Sequence, residues 1–144
     1  AKPGAPNAFG LVGGDANAPG PGKRPLSSMT PTIVLKEGRP YLVTGTPGGS
    51  RIITTVLQVI LDVVGHRRDI AAAVAAPRLH HQWLPDEVVA EQAVPADAIR
   101  GLEQLGHTVV RRPNWGSANS ILVTPDGLAG AADQRTRGAL AAGY

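Results

Sequence analysis

Tyr41-Leu42-Val43-Thr44-Gly45-Thr46-Pro47-Gly48-Gly49-Ser50-Arg51-Ile52-Ile53 is the stretch on which the fold turns. Its first half is rich in β-branched residues and reads as a strand. Beyond it, Ile52, Ile53, Val56, Leu57, Ile60, Leu61 and Val64 recur at helical spacing, with Ser50 expected as N-cap and Gly65 as the stop. Two glycines between a strand and a helix let backbone approach a ligand closely. Their N–H groups lie at the positive end of the helix dipole. Such a turn suits an anion, either a bound phosphate or carboxylate or a developing oxyanion. It is not a Walker loop, because Arg51 follows the serine and no Gly-Lys-Ser/Thr is present. A tight turn that binds nothing is the other reading.

Upstream, Thr32–Lys36 and Pro40–Thr46 form a hairpin signal about Glu37-Gly38-Arg39, and Ser27-Ser28 precede it at a loop-to-strand junction. Adjacent hydroxyls there can donate to a carboxylate or cap local backbone. Downstream, Asp69 caps a short helix over Ile70–Ala76, Glu87–Gln92 reads as a strand and Pro95–Leu105 as an amphipathic helix ended by Gly106. His107–Arg112, Ser120–Thr124 and Leu128–Ala132 read as further strands, the last two joined by Pro125-Asp126-Gly127. Helices and hairpins together give an α/β or α+β class with substantial antiparallel pairing.

The chain has 144 residues, and 31 are glycine or proline, 11 of them within the first 25. Regular structure is therefore unexpected over 1–25. Loops of that length are lids, binding loops or linkers, unless the segment is a loose terminus. Apolar residues at 42% against 17% charged exclude a wholly disordered chain. The net charge of +3 is not gathered into a stripe and does not alternate with aromatics, which argues against nucleic-acid binding. No apolar run reaches the roughly 18–20 residues of a membrane span. With no cysteine there is no disulfide, thiolate metal site or Cys nucleophile. His80-His81 lacks the spacing of a metal site and reads as a hydrogen-bonded structural pair, so neither metal nor cofactor is expected. No serine sits in a Gly-x-Ser-x-Gly elbow, and no nucleophile has a base beside it. The residues describe part of an active site.

Pro25-Leu26-Ser27-Ser28-Met29-Thr30-Pro31-Thr32-Ile33, followed by Gly45–Ile52, resembles the small subunit of γ-glutamyltranspeptidase, most closely the bacterial type. So do Gly10–Asn17, Ala76–Asp86 and the closing Ala141–Tyr144, so the resemblance spans essentially the whole chain. It implies an α+β fold, part of a four-layer αββα sandwich of the N-terminal nucleophile hydrolase type with antiparallel sheets. Residues 1–25 would be a lid loop and 26–144 the C-terminal part of the small-subunit domain.

The implied enzyme is a precursor that cleaves itself into a heterodimer and hydrolyses glutathione or other γ-glutamyl amides through a threonine acyl-enzyme. Water, or an acceptor amino acid or peptide, then takes the acyl group. Residue by residue, the resemblance puts the oxyanion hole on the amides of Gly48 and Gly49 and the α-carboxylate clamp on Ser27 and Ser28. Phe9 falls where the family's lid carries an aromatic residue, usually tyrosine, and is expected to form an apolar gate with Trp115. The N-terminal threonine nucleophile is expected outside this sequence, with the large subunit and the N-terminal part of the small subunit as partners. A periplasmic or secreted location is implied, with no membrane span. Gln134, where the family usually has proline, is expected to loosen its turn. A cephalosporin-acylase-like amidase, or an inactive module binding a carboxylate, would be the alternatives.

Overall fold

The computed structural model describes residues 3–143; Ala1 and Lys2, the start of the expected lid segment, and Tyr144, the last residue of the closing motif, lie outside the described residues. The hairpin forms as β1 (Thr32–Lys36) and β2 (Arg39–Gly45), turning on Glu37 and Gly38, both with positive φ. The strand–glycine–helix stretch leads from β2 into α1 (Arg51–Ile60), followed by α2 (Ile70–Ala75), β3 (Leu79–His80) and β4 (Val88–Glu91). Then come α3 (Ala96–Gln104), β5 (Val109–Arg112), β6 (Asn119–Thr124) and β7 (Gly127–Ala132).

One antiparallel sheet runs β1-β2-β6-β7. Its register stacks Val34, Leu42, Leu122 and Ala129 in one row. Because side chains alternate along a strand, that row and its neighbours Thr44, Ser120 and Ala131 share one face. There Leu42 and Ala131 meet Val59, Val63, Ile70, Ala73 and Val74 of the helical layer. Burying each of the larger side chains contributes about 1.5–3 kcal/mol. The opposite face carries Ile33, Val43 and Ile121 in one row, all exposed, with Leu128 exposed at the edge. The tail crosses part of it, with Ala141 against Gly130. α1 and the turn that continues it also leave Ile53, Leu57, Leu61 and Val64 half exposed along their outer side. The layer is thus apolar on both sides.

A second sheet, β3-β4-β5, lies beside it, with α1 packed against both β2 and β3. Here β4 and β5 pair in parallel, a departure from all-antiparallel pairing that follows from α3 supplying the crossover between them. No residue of α3 is buried. Asp69 caps α2 through Ala72 N at 2.8 Å, and Gly106 ends α3 at φ +92, both as expected. Gly65 does not stop α1. The helix widens into a π turn over Leu61–Gly65, with His66 N donating to Leu61 O, and the positive φ falls on Arg67.

Candidate functional site

Gly48 and Gly49 have φ of +145 and +59, conformations that side chains rarely adopt. They turn the chain from β2 into α1, where Arg51 N and Ile52 N donate to the carbonyls of Gly48 and Gly49. Among the described residues neither glycine N–H has a protein acceptor. Ser50 does not cap α1 with its side chain. Its backbone is already helical and its hydroxyl donates instead to Gln82 Oε1 at 2.8 Å. The helix start therefore keeps unpaired donors at its positive end, an arrangement that stabilises negative charge.

The serine pair divides. Ser28 Oγ donates to the Gly49 carbonyl at 2.8 Å, tying the loop before β1 to the glycine turn. Ser27 Oγ accepts from Met29 N at 3.1 Å, which leaves its own proton free. Ser27, Ser28, Leu26, Phe9 and Gly49 line a cavity of about 500 Å³. Phe9, Gly48, Gly49, Arg51, His80 and Trp115 line a second, of about 520 Å³.

Phe9 comes from the Gly/Pro-rich segment, which has no strand or α-helix between residues 3 and 25. Asn7 shapes its tip: Oδ1 accepts from both Phe9 N and Leu11 N, and Gly10 N donates to Asn7 O. The Phe9 ring then lies directly against Gly49, in the space that any side chain at 49 would occupy. Trp115 is 8% exposed and sits beneath the Arg51 guanidinium, 5.0 Å from the ring centroid. It is a fixed wall of the cavity that Phe9 overhangs.

Gln82 joins these parts. Its Nε2 donates to Phe9 O at 2.8 Å and Leu84 O at 3.0 Å, so its Oε1 is the acceptor for Ser50 and, at 2.9 Å, for His80 Nε2–H. His80 Nδ1 then accepts from Thr54 Oγ1 at 2.8 Å. Burial pushes the His80 imidazole below its ordinary pKa; the Gln82 bond opposes the shift, and the nearby Arg51 charge adds to it. His81 turns outward, 3.2 Å from Asp86. Among the described residues no three His, Asp or Glu side chains converge as a metal site, and no helix is long and apolar enough to cross a membrane.

Behind the cavities lies a buried ionic cluster that the sequence did not reveal. Asp133, 0% exposed, accepts from Arg78 at 2.6 Å, Ala118 N at 2.9 Å, and both the backbone and guanidinium of Arg135 at 3.0 Å. Glu91 accepts from Arg135, Arg78 N and Trp115 N, and Arg78 donates to Trp115 O. Burial raises the Asp133 pKa, but the donors from Ala118, Arg135 and Arg78 outweigh it and hold the carboxyl below its ordinary value. Burial likewise depresses Arg78, against its bond to Asp133, while Glu91 and Asp133 overcome burial at Arg135 and hold it high. The turn containing Gln134 is therefore pinned on both sides rather than loosened. The cluster also fixes loop 113–118, where Gly116 at φ +79 passes so close to Arg78 that a Cβ would lie 3.0 Å from the guanidinium.

A family model described as Gamma-glutamyltranspeptidase matches residues 1–143. The chain is 57% identical over 145 residues to the glutathione hydrolase proenzyme of Escherichia coli (strain K12), covering 100% of this chain and 25% of that protein. The crystal structure of an acivicin-inhibited γ-glutamyltranspeptidase superposes with a TM-score of 0.90 at 53% identity, covering 95% of this chain and 76% of that one. The Acylase ACY 1 proenzyme of Pseudomonas sp. (strain SE83) is 42% identical over 121 residues, 82% of this chain and 21% of that protein. The chain spans about a quarter of the length of the curated relatives it matches.

Proposed function

The chain belongs to the γ-glutamyltranspeptidase family, and from that membership we propose that it supplies the oxyanion hole, carboxylate clamp and lid of an enzyme that hydrolyses glutathione and transfers γ-glutamyl groups. Its fold is α+β, of the N-terminal nucleophile hydrolase type. The observation that carries the proposal is the pair of free amides at Gly48 and Gly49, opening onto the cavity that Phe9 overhangs.

In the proposed reaction a threonine at the N-terminus of the small subunit, outside this sequence, attacks the γ-glutamyl carbonyl with its own α-amino group as base. The carbonyl oxygen becomes an oxyanion between the Gly48 and Gly49 amides, and the leaving amine takes a proton as the acyl-enzyme forms. Water or an acceptor amine then repeats the attack and restores the threonine. Preorganised amides aimed at a developing charge cost no reorganisation at the moment of reaction. We assign Ser27, with its free proton, to donate to the glutamyl α-carboxylate. Ser28 holds the Gly49 peptide and turns to the carboxylate only by giving up that bond.

The partners in this proposal are the large subunit and the N-terminal part of the small subunit, cut from one precursor. The two uncovered apolar faces support that reading, since a layer apolar on both sides needs neighbours on both. The location that goes with it is periplasmic or secreted. The likeness to Acylase ACY 1 favours a second reading, a cephalosporin-acylase-like amidase acting on a different acyl group.

The test uses the processed, assembled protein with γ-glutamyl and glutaryl anilides side by side. Faster turnover of the γ-glutamyl substrate is expected, and faster glutaryl turnover would move the assignment to the acylase reading. Ser27→Ala should lower kcat/KM about 10–100-fold, the range for a hydrogen bond to a charged group. Unchanged kinetics would refute the clamp.

A further inference from the structure

We infer that Gln82 is the latch of the lid: one side-chain amide holds the lid tip and, through its oxygen, the first residue after the glycine turn. This rests on the proposal that residues 1–25 close over the acyl site. The lid tip touches the rest of the chain through few groups. The Phe9 carbonyl accepts from Gln82, the Phe9 ring lies on Gly49, and the Gly10 backbone packs on Gln82 and Pro85, where a Cβ would sit 3.4–3.5 Å from their side chains. Only the first of these is a hydrogen bond. An aromatic ring without a hydroxyl cannot add another, so the polar hold on the tip passes through Gln82.

The amide is preset for that task. Leu84 O and Phe9 O both accept from its nitrogen, whereas Ser50 and His80 both donate to its oxygen. Rotating it by half a turn would set its oxygen against two carbonyl oxygens, those of Leu84 and Phe9, and lose both bonds made by its nitrogen. His80 is in turn held by Thr54 on α1. Apart from the Phe9 carbonyl itself, the groups that fix the latch lie outside the lid: Ser50 at the start of α1, His80 on β3 and Leu84 two residues beyond Gln82. The nitrogen therefore stays aimed at the lid carbonyl whether the lid is seated or away. Since Ser50 follows Gly49 directly, seating the lid and holding the helix start are two bonds of one planar group. Gln82 is accordingly a positioning residue rather than a catalytic one.

The experiment uses the assembled enzyme and chymotryptic cleavage after Phe9, followed by mass spectrometry, which needs no turnover. Cleavage of a locally opened segment tracks its open population when closing is fast. Gln82→Met, which keeps length and removes both the donor and the acceptor, should speed this cleavage about fivefold, the yield of one ordinary hydrogen bond. In the same variant KM for the γ-glutamyl anilide should rise while kcat falls by a smaller factor. Ser50→Ala, which frees the amide to turn, should give a smaller increase in cleavage, and it serves alone if Gln82→Met does not assemble. Equal cleavage rates in wild type and variants of unchanged melting temperature would overturn the latch. Failure of the lid proposal itself would look different: a γ-glutamyl affinity label would leave wild-type cleavage after Phe9 unchanged.

Discussion

Replacing Asp133 by asparagine tests whether the ionic cluster holds the layer together. The carboxylate is 0% exposed and its contacts are all donors, two of them backbone N–H groups and the others guanidinium. An amide in its place must point its nitrogen at one pair of those donors, so at least two bonds are lost whichever way it turns. Arg78, 2% exposed, would keep its charge with its direct carboxylate partner gone. Removing one partner of a buried pair costs about 3–5 kcal/mol. At an m-value of about 2 kcal/mol/M, a loss of 3 kcal/mol lowers the urea midpoint of the assembled protein by roughly 1.5 M. The pair Arg78→Met with Asp133→Leu removes both charges together and should recover part of that loss. Because its pKa is depressed in the fold, Asp133 contributes stability that is present above its ordinary value of 3.8 and is lost as pH falls through the folded value. The gap between wild type and Asp133→Asn should therefore narrow in acid. A single-variant shift below about 0.3 M, or a double variant no better than the single, would refute the reasoning.

Gly49→Ala should be disruptive from two directions, a left-handed φ of +59 and a collision with the Phe9 ring. Activity should drop at least tenfold while the fold survives, since strain at one such residue costs about 1–3 kcal/mol; circular dichroism with kinetics checks both. His80 is held neutral by burial, so the unfolded chain binds its proton first as pH falls. Stability should thus decline from about pH 6.5 downward through the folded pKa, and thermal melts of wild type and His80→Gln should diverge less in acid than at neutrality.

The hairpins, α1, α2 and the glycine turn were legible because each is written locally, in period and punctuation. Asp69 and Gly106 act where such signals place them. Ser50 departs from the expected cap because its backbone is already helical and its hydroxyl donates to a glutamine 32 positions away. Arg78, Asp133 and Gln82 were not legible at all. Their neighbours in sequence give no sign of burial, and Arg78 finds its carboxylate 55 residues on. Only the closed fold brings such groups together. The catalytic roles proposed for these residues come from the resemblance to a family, because spacing alone left the serine pair and the glycine turn open between binding an anion and ordinary structural duty.

The two uncovered faces of the central layer bear on engineering. On the proposal that neighbours cover both of its apolar surfaces, this slab is not a portable module. Grafting it from one homologue into another exchanges two apolar surfaces at once, one on the sheet through Ile33, Val43 and Ile121 and one along α1 and the π turn after it through Ile53, Leu57 and Leu61. Chimaeras cut at the ends of this chain would preserve every residue of the glycine turn and still disturb the site. Cuts that carry each surface together with its counterpart are the ones that should keep the turn in place.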